Sequence, residues 1–403
     1  MKKPKPLINT KAISRLTELP LLFAIFLDMV GFGMVLPDIQ TRLDSFGAKG
    51  WLIGGVLASY FLIQMAVSPL WGRLSDHIGR KPVLLLCGWL SAGSMAVYAF
   101  AHGINGILLS RVLAGFAAAN VVVAQAYIAD VTPVENRTEA MGRIGVATTA
   151  GLIFGPVIGG WLATLGGNTL LGFVAASASG LGALWIGLVV PSVAPVAQES
   201  QSHDKQKGNV FLLRDIPTLR SLFLLATLAF LALACLEGTF GRLIRQRFGY
   251  GPAEFGLIFS YEAIMGVATQ TLALARLSKR LSPIALLRLA YVLQGVGLSL
   301  MPFAPNLACL FVTSTFYAVG VALSTPTLNS LCSAVTPLEL QGEMFGLLQS
   351  SRSTGFLFGP IIGGALFDWN PASPYLLAGG VVIAVGCFLK GLKVLRDVAP
   401  KTE

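Results

Sequence analysis

Charge is scarce in this chain. Asp, Glu, Lys and Arg make up 12% of its 403 residues, about half of the roughly 25% usual in soluble domains. With 54% hydrophobic residues and a mean hydropathy of +0.73, a water-soluble globule is excluded, and the bilayer is the solvent. Histidine is scarcer still: His77, His102 and His203 are scattered, too far apart for a metal cluster. The five cysteines, Cys87, Cys235, Cys309, Cys332 and Cys387, lie in apolar runs without the paired spacing of zinc or redox sites. No Gly-x-x-x-x-Gly-Lys-Ser/Thr loop is present, and the spans leave little length for a soluble catalytic domain. The expectation is a protein that is not an enzyme and needs no metal or cofactor.

What is present is a succession of apolar runs. Gly, Pro and charge punctuation divides them into twelve spans, near 19–41, 50–72, 82–101, 104–130, 140–164, 169–191, 219–241, 253–275, 284–303, 306–332, 343–366 and 373–394. The one long polar connection, about 192–218, separates an N-terminal six-helix bundle (1–191) from a C-terminal one (219–403). The formal charge of +10 does not mark a nucleic-acid binder, because the basic residues form short tracts between spans rather than one face. With the amino terminus inside, 23 of the 29 Lys and Arg fall in inner tracts, Arg352 among them, so the positive-inside rule puts both termini in the cytoplasm. The first apolar run lacks a small-residue cleavage site and reads as a retained span.

The halves are related. A shift of 204 residues superposes Thr132, Pro133, Glu135, Glu139, Gly142, Gly151, Gly155, Pro156, Gly159 and Gly160 on Thr336, Pro337, Glu339, Glu343, Gly346, Gly355, Gly359, Pro360, Gly363 and Gly364. Two parallel six-helix repeats are the architecture of one large transporter class, with the substrate site between them near mid-membrane.

Between the second and third spans runs Gly72-Arg73-Leu74-Ser75-Asp76-His77-Ile78-Gly79-Arg80-Lys81-Pro82. Gly72 and Gly79 permit tight turning, Asp76 suits a positive helix N-terminus, and Arg80 and Lys81 stay at the surface. This segment resembles the loop signature Gly-x-Leu-x-Asp-x-x-Gly-Arg-Lys of the major facilitator superfamily, and the resemblance covers essentially the whole chain. It implies an all-α integral membrane fold of twelve transmembrane helices in two pseudo-symmetric six-helix bundles. The matching second-half loop is degenerate, with Lys279 at the Asp76 position, so the implied gate rests on the first half. Family members of this type link an aspartate at the position of Asp130 to the loop arginine matching Arg80, so Asp76, Arg80 and Asp130 form the expected gating cluster.

Inside the spans, Arg111 in Leu109-Ser110-Arg111-Val112-Leu113-Ala114-Gly115 is costly without a partner or water. Asp28 falls at a similar depth by helical rise and is its natural candidate. The family comparison implies that such a pair takes part in proton coupling. Glu237, in the outer third of span seven, and Glu262, near mid-depth in span eight, are second proton sites or contacts for a cationic substrate. Gln64, Asn120, Gln125 and Asn329 are substrate-binding candidates, although single amides more often join helices. The repeated glycines, Gly151, Gly155, Gly159 and Gly160 around Pro156 and Gly355, Gly359, Gly363 and Gly364 around Pro360, make flat faces for close helix approach. They resemble the signature of the exporting branches.

The expected function is proton-coupled export of a small amphipathic compound or drug, similar to the twelve-span drug/proton antiporters that include the tetracycline efflux proteins. Uptake or facilitated diffusion of a sugar or metabolite, or lipid movement, is the alternative on the same fold. The expected partners are a small-molecule substrate, protons and the lipid bilayer, with no nucleic acid. A monomer in a prokaryotic inner membrane is the economical setting.

Overall fold

A computed structural model describes residues 10–118, 120–132, 137–192, 217–336 and 340–388. Most of the 192–218 connection, the basic tails, and Pro133, Glu135, Pro337 and Glu339 of the repeat lie outside the described residues. Among the described residues the chain is helical throughout, because in hydrocarbon every backbone N–H and C=O must be satisfied within its own segment. In order the helices are α1 (Thr10–Ser45), α2 (Gly50–Ile78), α3 (Arg80–Ala99), α4 (Ile104–Ala117), α5 (Asn120–Val131), α6 (Arg137–Val189), α7 (Pro217–Phe248), α8 (Pro252–Ala268), α9 (Pro283–Leu300), α10 (Leu307–Ala334), α11 (Gln341–Trp369) and α12 (Ser373–Phe388).

These helices cover the twelve expected spans. α4 and α5 lie on either side of residue 119, which is outside the described residues, and Ile104–Ile128 forms one span. The fifth and sixth are two helices within the α6 range that meet at a kink at Gly167, whose φ of 65° and ψ of −167° suit only a residue without Cβ. The α8 span continues through a π-helical turn, Thr269–Leu274, to Leu277. Large apolar side chains point outward, with Trp161 62%, Leu188 75% and Trp369 82% exposed, the pattern of helices whose outer faces meet lipid.

The chain forms two compact units, Met1–Ile39 with Leu62–Gln198, and Gln40–Phe61 with Glu199–Glu403. In the first, Leu21 and Ile25 of α1 pack with Val83 and Leu84 of α3, Tyr127 of α5 and Ile186 of α6. In the second, α7 packs on α11, and α9 on α10 and α12. The sequence division gives residues 40–61 to the first bundle, whereas their packing places them with the second. The reason is a glycine seam: a Cβ on Gly50 would overlap the Gly364 carbonyl, and one on Gly54 the Pro360 carbonyl. Around it Arg242 Nε pairs with Asp44 at 3.2 Å and Nη2 with Asp368 at 3.1 Å. The Gly50 N–H donates to Asp368 Oδ2 at 2.6 Å.

Candidate functional site

The first unit holds Asp28 at mid-length of α1, and its position follows from the seam between α1 and α6. Gly151, Gly155 and Gly159 have no side chains, so α6 lies directly on the backbone at Met29, Val30 and Met34, and Gly33 meets Pro156. Gly160 is buried in the same helix. That contact turns Asp28 inward, where it is 5% exposed. Ser91 Oγ of α3 donates to Asp28 Oδ1 at 2.6 Å, and Asn120 Nδ2 of α5 donates to Oδ2 at 3.1 Å. Ser179 of α6 completes the group, 3.3 Å from Ser91. Asn120 therefore positions Asp28 rather than standing free for substrate, and its own Oδ1 is buried without a partner.

Arg111 does not meet Asp28, contrary to the pairing expected from depth. Its Nε reaches Ser110 Oγ at 3.5 Å, Nη2 reaches Met95 Sδ at 3.8 Å, and its guanidinium carbon lies 5.6 Å from the centre of the Tyr98 ring. Tyr98 in turn donates to Asp38 Oδ2 at 2.7 Å. Helical rise fixes depth but not the direction a side chain takes around the axis. Two clusters therefore form where one pair is expected: Asp28 with small polar groups, and Arg111 beside the Tyr98–Asp38 pair.

The loop cluster forms as expected. Gly79, with φ of 95°, turns the chain between α2 and α3 at a backbone conformation that suits glycine. Arg80 Nη1 lies 2.5 Å from Asp76 Oδ1 and Nε 2.9 Å from Asp130 Oδ2. Ser75 Oγ accepts from Nη1 at 2.7 Å. Arg80 thus ties the α2–α3 turn to the end of α5, inside the first unit. Gly72 has open space around its Cβ position, and Lys81 makes no ion pair among the described residues. On α1, buried Glu18 accepts from Thr132 at 3.1 Å and pairs with Arg143 of α6.

In the second unit Glu237 of α7 and Glu262 of α8 lie within electrostatic range of each other. Glu262 faces Ser314 of α10, and Glu262 Oε1, Ser314 Oγ and Tyr317 OH are all buried without hydrogen-bond partners. Gln64 is half-buried and Gln125 exposed. Asn329 accepts from Arg352 Nη2, so the amide is already engaged. Gly355 and Gly359 meet the α7 backbone at Leu231, and Gly363 meets Cys235, which repeats the α1–α6 seam.

Sequence reasoning missed Ser91, Ser179, Glu18, Asp38 and Arg352. Asp38 and Arg352 lie inside predicted spans, where an ionisable residue is itself a signal. Glu18 stands one residue before the first span's assumed start. Ser91 and Ser179 carry no sequence mark, since serine is an ordinary residue at helix interfaces in lipid.

A family model described as Major Facilitator Superfamily matches residues 21–243 and 222–403. Over 374 residues the chain is 29% identical to Multidrug resistance protein 1 of Bacillus subtilis (strain 168), which covers 92% of this chain and 94% of that protein. It is 28% identical over 372 residues to Quinolone resistance protein NorA of Staphylococcus aureus (strain COL), covering 90% and 93%. The solved structure of nucleoside transporter NupG matches with a TM-score of 0.72 at 16% identity, over 93% of this chain and 98% of that one, a likeness of fold. With twelve spans in two repeated halves and a family model matching both, this chain belongs to the Major Facilitator Superfamily.

Proposed function

We propose that this protein is a proton-coupled antiporter that exports small amphipathic compounds by alternating access. It would sit in the inner membrane with both termini in the cytoplasm. The printed names of the relatives in Bacillus subtilis and Staphylococcus aureus, a multidrug and a quinolone resistance protein, support export of drug-like compounds. The paired glycine–proline seams support the same branch.

The observation that carries the coupling is the environment of Asp28. Its partners are hydroxyls and one amide, and among the described residues no cation pairs with it. A permanent charge in a dry site calls for a permanent counter-ion. Hydroxyls, by contrast, donate to a carboxylate or accept from a carboxylic acid. Asn120 adds a second option, because flipping its amide presents the unpartnered Oδ1 to a proton on Asp28. The site can therefore hold the acid in either protonation state, which a proton-driven cycle requires.

Proteoliposomes with an imposed pH gradient test this, with ethidium as the transported probe. The gradient is expected to drive ethidium accumulation, and Asp28→Asn to reduce that accumulation at least tenfold while ethidium binding persists. Flux that ignores the gradient, or that Asp28→Asn leaves unchanged, overturns antiport through Asp28.

A further inference from the structure

Arg352 is a half-buried cation inside the second unit. It stands 11 residues after Gln341 on α11, about 16 Å along a helix of about 42 Å, so it is a mid-membrane residue and not part of a cytoplasmic tract as the sequence tally has it. The guanidinium stays protonated in proteins. Among the described residues no carboxylate pairs with it. Nη2 donates to Asn329 of α10, the guanidinium carbon lies 5.2 Å from the centre of the Phe230 ring on α7, and Nε is buried with no partner. Tyr291 of α9 lies within electrostatic range of it, and its hydroxyl is also buried and unpartnered.

A half-buried arginine whose neighbours are a neutral amide, a ring face and an unused hydroxyl has a charge that an anionic group would complement, because buried charge in lipid calls for pairing. The wall beside it is aromatic. Phe356, one turn beyond Arg352, meets Phe230 edge-on at 5.5 Å and stacks on Phe61 at 4.5 Å. Guanidinium favours carboxylate by fork geometry, and the rings offer faces for an aromatic body.

We infer that Arg352, with Asn329, Tyr291 and the Phe230–Phe356–Phe61 wall, is a subsite for the carboxylate of an aromatic substrate. This rests on the exporter reading for its physiological meaning, and it narrows the small amphipathic substrate of that reading to one that carries an aromatic body and a carboxylate. Asn329 is then the residue that orients the guanidinium, rather than a direct ligand.

The test is equilibrium binding to purified full-length protein in lipid nanodiscs, with a quinolone carboxylic acid and the methyl ester of the same compound as probes. Wild type is expected to bind the acid at least tenfold more tightly than the ester. Arg352→Gln is expected to bind both with the ester's affinity, and Arg352→Lys to keep part of the preference. An ester affinity unchanged in both variants supports the assignment and shows that they fold. The inference is overturned if wild type shows no preference for the acid, if Arg352→Gln keeps it, or if both variants lose acid and ester equally, since Arg352 would then only join α10 to α11. Because binding needs no pH gradient, the exporter reading can fail in proteoliposomes while this comparison stands.

Discussion

Ser91 Oγ lies 2.6 Å from Asp28 Oδ1, with Ser179 Oγ 3.3 Å beyond it, so the acid's surroundings are set by hydroxyls small enough to fit between α1, α3 and α6. Removing the donor from a buried acid forfeits a contact of about 1–3 kcal/mol. Ser91→Ala is therefore expected to lower gradient-driven transport several-fold per folded molecule, and Ser91→Thr, which keeps the hydroxyl, to retain most of it. Equal rates for Ser91→Ala and wild type, measured in proteoliposomes of matched protein content, would show that Asp28 does not depend on this contact. At this scale the sequence is only partly informative. It identifies Asp28 and Arg111 as intramembrane charges because such residues are rare in apolar runs. It cannot give their partners, because those depend on which way α1, α3 and α4 are rotated.

Among the elements, the seams repeated in the two halves explain why the glycine pattern recurs. A Cβ on Gly159 would overlap the Met34 carbonyl, whereas Gly145, earlier on the same helix, has nothing within 4 Å. Gly159→Ala therefore has to push α6 away from α1, an overpacking cost of about 1–3 kcal/mol. Gly145→Ala only replaces a poor helix former by a good one and is expected to be neutral or to stabilise by about 0.5–1 kcal/mol. Thermal unfolding in detergent separates the two, and equal melting temperatures would show that the seam does not limit helix approach. The seam also bears on the proposed coupling site, since it meets α1 on both sides of Asp28, at Phe26 and Met29. Gly-to-backbone packing of this kind is legible in sequence as four-residue spacing. The contacted helix is not, because the spacing says that one face is flat and not which neighbour uses it. The misreading of Arg352 has a similar cause: tallying charges by their distance along the chain ignores that α11 already begins at Gln341.

On the scale of the whole molecule, the twelve-span pattern is the most legible feature, because the bilayer demands long apolar helices and permits little else. The sharp kink at Gly167 between the fifth and sixth spans escapes it, since it depends on local backbone angles rather than on apolarity. Orientation is a separate matter, argued from the basic tracts alone, and α3 offers a direct check of it. His77 precedes this helix and His102 follows it, both exposed. The 20 residues between Arg80 and Ala99 span about 30 Å, the thickness of the hydrocarbon layer, so the two histidines stand on opposite sides of the membrane. The native cysteines include exposed Cys387 and partly exposed Cys309, so the measurement calls for a background in which all five are replaced by serine. In that background a membrane-impermeant maleimide added to intact cells is expected to label His102→Cys and spare His77→Cys, with His77→Cys labelled only after the cells are opened. The reverse pattern would put the Asp76–Arg80–Asp130 cluster on the outer face, and a pump whose gate faces outward in this way could not be loaded from the cytoplasm as proposed.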